Sequence, residues 1–258
     1  MLLAMDVGNT NIVLGLFDDN NMKESFRLST DKDKTLDEYG IIFHDFLDFA
    51  KVDAKDINAA IISSVVPPVT GPLIDAIKKY FGVDAELVGK NLKTKINIVM
   101  DNPKEVGSDN IVNSVAVRAI TNKPAIVIDL GTANTYHYLN EKGDYLGGII
   151  TPGFKISMDA LSERTSKLPR VELEMPEHVL GKNTVESIKS GIMNSKIGEM
   201  DYIIKKILEE IGKTKDEVLI IATGGLAEKV AVHSEYVNLI EPNLTLLGLY
   251  EIYKMNHA

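Results

Sequence analysis

The sequence predicts an α/β protein of two like domains, on three observations. A short phrase occurs twice, as Asp6-Val-Gly-Asn-Thr-Asn11 and as Asp129-Leu-Gly-Thr-Ala-Asn-Thr135. Each copy follows an apolar run, Leu2 to Met5 and Ala125 to Ile128, which reads as a strand ending at an acid. Each copy also leads into a second apolar run, a polar turn and a third extended stretch. In the first half these are Ile12 to Phe17, Asp18 to Asn21 and Ser25 to Leu28; in the second they are Thr135 to Leu139, Asn140 to Asp144 and Tyr145 to Ile150. The third observation is that strand and helix patterns alternate through the remainder of both halves.

The elements follow in order. Residues 35–51 carry Tyr39, Ile42, Phe43, Phe46, Leu47 and Ala50 at helical spacing, with Asp37, Glu38, Asp45 and Asp48 elsewhere. Ile57 to Ser64 reads as a buried strand, Val65 to Val69 as a proline-broken loop, and Pro72 to Phe81 as a helix. Glu105 to Ile120 is a further helix that leads into the strand bearing Asp129, and the domain boundary is expected there. The domains are thus 1–118 and 119–258. In the second half Ser157 to Thr165 reads as helical, Leu168 to Val171 as extended, and Thr184 to Ile211 as one long helix or a pair. Val218 to Ala222 is a buried strand running into Thr223-Gly-Gly-Leu-Ala227 and a short helix, the counterpart of Ile61 to Val69.

Composition narrows the function. The chain has 258 residues and a net charge of -9, without a block of Lys or Arg, which argues against a nucleic-acid surface. It contains no cysteine, so disulfide frameworks and thiolate metal sites are excluded. Met1 to Asp6 runs directly into the first strand without a basic, apolar and cleavable leader, and no stretch reaches the length of a membrane span. A soluble cytoplasmic protein is expected.

The repeated phrase carries the chemistry. Glycine admits backbone N–H groups to phosphate oxygens, hydroxyls and amides add donors, and an aspartate holds a cation or its water shell. Either copy alone is as readily a hairpin turn; two copies in the same strand context favour a nucleotide cleft. No Gly-x-x-x-x-Gly-Lys-Ser/Thr phrase occurs, and no Gly-x-Gly-x-x-Gly follows a strand, so the Walker and dinucleotide readings fail. The late Gly-Gly loop suits a helix N-terminus closing on a ring or phosphate, or a turn needing positive φ.

Two phosphate loops followed by a Gly-Gly loop resemble the actin-like ATPase and sugar-kinase superfamily. Within it, Asp6 to Asn11, Ile62-Ser-Ser-Val-Val-Pro-Pro68, Asn102-Pro-Lys-Glu-Val-Gly-Ser-Asp109, Gly181-Lys-Asn-Thr184 and Ala222 to Ala227 resemble the type III pantothenate kinases, from residue 2 to about residue 253. The resemblance implies two actin-like (ribonuclease H-like) domains with mixed five-stranded sheets flanked by helices and an ATP cleft between them. It implies ATP-dependent phosphorylation of pantothenate, the first step of coenzyme A synthesis, by a homodimer using Mg2+ and a monovalent cation, K+ or NH4+. By position, Asp6, Val7, Gly8, Asn9, Thr10, Asn11, Ile12 and Val13 would cradle ATP, with Thr132 adding a contact. Asp109 would be the catalytic acid–base residue and Asp129 would hold the monovalent cation. Met100, Gly107, Ser108, Asp109, Asn110 and Thr184 would form the substrate site, near the subunit interface.

Asp109 also stands on its surroundings. Ser108 as N-cap would put it in the first helical turn, where the macrodipole favours an ionised, weakly basic carboxylate; the simpler alternative is an ordinary helix-start acid. The chain departs from the family pattern at Asn110, where arginine is typical, at Met100, where tyrosine is typical, and at Asn134, where threonine is usual. Asparagine keeps hydrogen bonding but loses the charge that pairs with a carboxylate; Lys104 and Arg164 are candidates to restore it. The five histidines show no metal-ligand spacing and are expected at surface or half-buried positions. Three alternatives stay open: a kinase with another hydroxy-acid acceptor, a non-catalytic relative of transcription accessory factors, and a filament-forming actin relative.

Overall fold

The structure is a computed structural model and describes residues 1–19 and 21–257. Asn20, in the expected first turn, and Ala258 lie outside the described residues. The chain forms two compact units, Met1–Ile96 with Asp101–Ile120 and Leu244–Ala258, and Asn97–Met100 with Thr121–Asn243.

The first unit holds strands β1 (Leu2–Val7), β2 (Asn11–Asp18), β3 (Asn21–Ser29), β4 (Ala59–Ser64) and β5 (Ala85–Leu87), with helices α1 (Leu36–Ala50), α2 (Pro67–Phe81) and α3 (Ser108–Ile120). Its sheet order is β3-β2-β1-β4-β5, antiparallel across β1, β2 and β3 and parallel across β1, β4 and β5. β1 is apolar throughout because both its faces are buried. Leu3, Met5 and Val7 pack with Tyr39, Phe43 and Phe46 of α1 and Leu73 and Ile77 of α2. Leu2 and Ala4 lie on the other face, with Val112 and Val115 of α3. A capping box between Thr35 and Glu38 starts α1, and Lys51 in the left-handed region ends it. The segment expected as a loop, Val65 to Val69, instead opens α2: Pro67 and Pro68 occupy the first turn, where the missing N–H has no helical partner to lose.

The second unit holds β6 (Ala125–Leu130), β7 (Ala133–Leu139), β8 (Tyr145–Pro152), β9 (Leu219–Thr223) and β10 (Leu239–Ile240), with α4 (Phe154–Glu163), α5 (Thr184–Ile211) and α6 (Ala227–Val230). Its order, β8-β7-β6-β9-β10, repeats the first sheet strand for strand. Ile126, Ile128 and Leu130 of β6 pack with Ile188, Ile192, Met200 and Ile204 of α5. α5 is one continuous helix of 28 residues, capped by Asn183, whose side chain accepts from the backbone N–H of Glu186. Leu168 to Val171 forms no strand; Leu168 and Val171 pack on this core without pairing.

Besides a boundary after Ile120 rather than residue 118, the division differs from the expected 1–118 and 119–258 in two places. The last helix, α7 (Leu244–His257), belongs to the first unit, where Leu246, Leu249 and Ile252 cover Ala4, Phe17 and Ile61 on the face that α3 leaves open. Gly248 lets α7 cross α3 closely, since a Cβ there would stand 2.2 Å from the Val112 carbonyl oxygen. Residues 97–100 leave the first unit to run beside β8, with backbone bonds of 2.8 Å to Tyr145 in both directions. No helix among the described residues is long and apolar enough to cross a membrane.

Candidate active site

In the first unit the Asp6 phrase forms the turn between β1 and β2. The Gly8 N–H donates to the Asn11 carbonyl at 2.9 Å, and Thr30, just after β3, clamps the turn. Its hydroxyl donates to the Gly8 carbonyl at 2.6 Å and its N–H to the Thr10 carbonyl at 2.9 Å. Asn9 and Thr10 are exposed at the tip, whereas Val7 and Ile12 are core side chains, so these two have only backbone groups to offer a ligand. Asp6 stands beside Ser63 in the parallel register of β1 and β4.

Ser63 draws the start of α3 to that end of the sheet. Its hydroxyl donates to Ser108 Oγ at 3.0 Å, and Ser108 Oγ in turn donates to the Ser64 carbonyl at 3.3 Å. Ser108 is therefore the first residue of α3 rather than a side-chain cap, because its hydroxyl is turned to β4. Asp109 does fall in the first turn, and its Oδ1 accepts from the Asn110 N–H at 2.8 Å. The carboxylate folds over Gly107, where a Cβ would stand 2.4 Å from Oδ1. The expected weak base is corrected here: desolvation raises the Asp109 pKa, against the lowering by backbone hydrogen bonds from Asn110 and its own N–H. Burial outweighs the helix start.

The second unit repeats the arrangement. Asp129 is the penultimate residue of β6, with Thr135 beside it on β7 and Thr223 beside it on β9. Thr223 thus corresponds to Ser63: in each unit a central-strand acid neighbours a hydroxyl on the adjacent parallel strand. Gly224 follows at φ +93°, and a Cβ there would meet Asp129 Oδ1 at 2.4 Å, so the Gly-Gly loop closes directly on this carboxylate. Thr132 is exposed, and its carbonyl accepts from Gly153 N–H at 3.1 Å. Asn134 lies fully buried on the opposite face of β7 from Thr135, with neither amide atom hydrogen bonded. His137 departs from the expected exposed or half-buried position: it is buried, stacked on Tyr145 at 5.0 Å, and desolvation lowers its pKa to about 3.

The residues expected to hold the substrate divide between the units. Gly107, Ser108, Asp109 and Asn110 belong to the first; Met100, half-buried beside β8, and Thr184 belong to the second. Thr184 opens α5 and lines a groove of about 650 Å³ with Leu161, Leu168, Lys182, Ile188 and Ile192 among its walls. Sequence reading passed over Thr30 and Gly153, which fix the two turns from outside the repeated phrase. Among the described residues no three or more His, Cys, Asp or Glu side chains converge on a possible metal position.

Solved structures share this architecture at low identity. A protein provisionally described as a 2-dehydro-3-deoxygalactonokinase from Sinorhizobium meliloti aligns over 99% of each chain, at 12% identity and a TM-score of 0.61. A protein provisionally described as a Baf-family transcriptional activator from Campylobacter jejuni aligns over 99% of this chain and 98% of its own, at 16% identity and a TM-score of 0.58. The repeated mixed sheets and the acid-headed turns define a two-domain protein of the actin-like kinase fold. The model of the type III pantothenate kinase family matches residues 2–206, and the chain belongs to that family of phosphotransferases. The match ends inside α5, so the Ala222 to Ala227 phrase lies beyond it.

Proposed function

We propose that this chain transfers the γ-phosphoryl group of ATP to the primary hydroxyl of pantothenate, in the cytoplasm, as the first step of coenzyme A synthesis. The observation that carries the reading is the placement of Asp109. Its half-buried carboxylate is held at the start of α3, and that start is tied through Ser108 and Ser63 to the strand beside Asp6. A desolvated carboxylate is a stronger base than a solvated one, which suits a group that orients the acceptor hydroxyl and takes its proton. The turn of Asp6, Val7, Gly8, Asn9, Thr10, Asn11, Ile12 and Val13 takes phosphate oxygens on backbone N–H groups and on the exposed Asn9 and Thr10, and Thr132 adds a hydroxyl. Gly107, Ser108, Asn110, Met100 and Thr184 complete the substrate contacts.

The donor set suits the ions the family uses. Asp6 beside Ser63 offers hard oxygen donors for Mg2+, which is held by one or two carboxylates together with substrate phosphates and needs no cage of protein ligands. Asp129, flanked by Thr135 and Thr223, offers oxygen donors for K+ or NH4+. Bound there, the ions supply positive charge to the transferring phosphoryl group, which neither turn provides with a lysine or arginine. A homodimer is supported by the edge strand β8, where Leu146, Ile149 and Ile150 are exposed, Ile150 to 74%.

The reading is tested by following ADP release and product mass with pantothenate and a panel of other hydroxy acids, in potassium buffer. Pantothenate should give the fastest turnover and a product heavier by one phosphoryl group. Faster turnover of another acid would favour the second reading, a kinase with a different acceptor, which Asn110 in place of a charged residue supports.

A further inference from the structure

Tyr39 carries a hydroxyl that core packing alone does not call for. Its side chain is fully buried in the first unit and packs with Leu3, Met5 and Val7 of β1 beside two phenylalanines, Phe43 and Phe46. A phenylalanine would fill the same space without a polar group to bury. The hydroxyl has one defined partner, donating to the Asp31 carbonyl at 2.8 Å.

What it holds is the strap between β3 and α1. Thr35 and Glu38 close the far end of the strap as the capping box of α1. Within it, the Asp31 carboxylate accepts from the Asp33 N–H at 3.0 Å and pairs with Lys34 at 3.0 Å. The near end is Thr30, whose hydroxyl and N–H donate to the Gly8 and Thr10 carbonyls at 2.6 and 2.9 Å. Asp31 is the next residue, so the Tyr39 bond fixes the backbone immediately beside that clamp.

The clamp also sets where the donors of the Asp6 turn face. In a trans peptide a carbonyl and the following N–H lie antiparallel in one plane. With the Gly8 and Thr10 carbonyls drawn to Thr30, the N–H groups of Asn9 and Asn11 are turned away from it. Asn9 is exposed at the tip of the turn, where a ligand can reach it. Backbone donors already held in one orientation need no ordering when an anion binds.

We propose that Tyr39 and Thr30 are positioning residues for the phosphate donors of the Asp6 turn. Tyr39 anchors the strap from α1, and Thr30 holds the peptides of the turn in the orientation that presents their N–H groups. Neither side chain is assigned a contact with the nucleotide. The inference rests on the reading of that turn as an ATP phosphate site, and it adds two residues from outside the repeated phrase.

The experiment titrates ATP and adenosine, which lacks the phosphates, into the full chain and into Thr30→Val, Thr30→Ser, Tyr39→Phe and Ile77→Val. Thr30→Val should weaken ATP binding roughly tenfold, the weight of one hydrogen bond, with adenosine unaffected. Thr30→Ser, which keeps the hydroxyl, should restore most of the loss. Tyr39→Phe should weaken ATP several-fold, again without an effect on adenosine. In the steady state KM for ATP should rise by the same factors while KM for the acceptor stays the same. Ile77→Val, a core change in α2, should lower Tm and leave both affinities alone. Equal losses for ATP and adenosine, a parallel rise in both KM values, or parent-like ATP binding in Thr30→Val and Tyr39→Phe would overturn the clamp. An unmodified chain that does not bind ATP would overturn the phosphate reading and the clamp with it.

Discussion

Asn134→Thr should stabilise the protein, and the size of the gain follows from its surroundings. Asn134 is 0% exposed, and neither its amide nitrogen nor its amide oxygen has a hydrogen-bond partner. It faces Leu130 across one strand pair and Thr151 across the other. Thr151 cannot serve it fully, because its hydroxyl donates to Glu199 at 2.7 Å, and Glu199 also holds Lys196. A buried polar group left unsatisfied costs about 1–3 kcal/mol, so two on one side chain place roughly 2–6 kcal/mol at this position. Threonine has nearly the same volume, favours strands and presents a single hydroxyl, which reduces the penalty without opening a cavity. Allowing that hydroxyl its own partial cost, a gain of about 2 kcal/mol is expected, or roughly 4–8 °C in Tm at 2–4 °C per kcal/mol for a chain of this size. Scanning calorimetry of the two proteins without nucleotide measures it. An unchanged or lower Tm would refute the reasoning and mean that the amide is hydrogen bonded in solution.

Three further outcomes are expected. Asp109→Asn should lower kcat by about 10²–10⁴ with little change in KM for ATP. Because burial raises this carboxyl above its ordinary 3.8, its contribution to stability falls as pH rises from 3.8 through the raised value. The Tm of the asparagine variant should therefore gain on the parent across that window, and the parent's rate should rise through the same raised pKa; parallel Tm curves would contradict the assignment. Gly107→Ala should displace the Asp109 carboxylate, since the new Cβ meets Oδ1 at 2.4 Å, and so lower kcat while the circular dichroism spectrum stays the same. Replacing sodium by potassium or ammonium should raise turnover strongly, and Asp129→Ala should lose that response; equal rates in both salts would remove the monovalent site.

The sequence made the central strands legible because burial on both faces writes them as unbroken apolar runs, as in Leu2 to Met5 and Ala125 to Ile128. The paired phrase was legible because duplication placed the same acid at the same strand end twice. Long-range placement was not. α7 reads as an ordinary apolar helix, and nothing local says that it covers Ala4 and Ile61 at the far end of the chain. β10, two residues long, is too short to show a period. Pro67 and Pro68 look like a loop until their place at N1 and N2 of α2 is known. The ionisation of Asp109 was misjudged for a related reason: its position in the helix is local information, whereas its desolvation depends on what packs around α3.

The two units also explain why a serine and a threonine of different sequence contexts belong together. In a parallel pair, residues in register point to the same face, so an acid at the end of the central strand always has one side-chain neighbour on the next parallel strand. In the first unit that neighbour is Ser63, whose hydroxyl is directed to Ser108 and fixes the helix carrying Asp109. In the second it is Thr223, followed by a glycine turn that closes on Asp129 instead. The same register has thus been put to two uses. One end fixes the helix start that carries Asp109, and the other closes a glycine turn over the Asp129 carboxylate. A duplicated strand, loop and strand can serve both roles because what distinguishes them lies in the segment after the parallel neighbour: Val65 to Pro68 leads into a helix N-terminus, whereas Gly224 and Gly225 return the backbone over the acid.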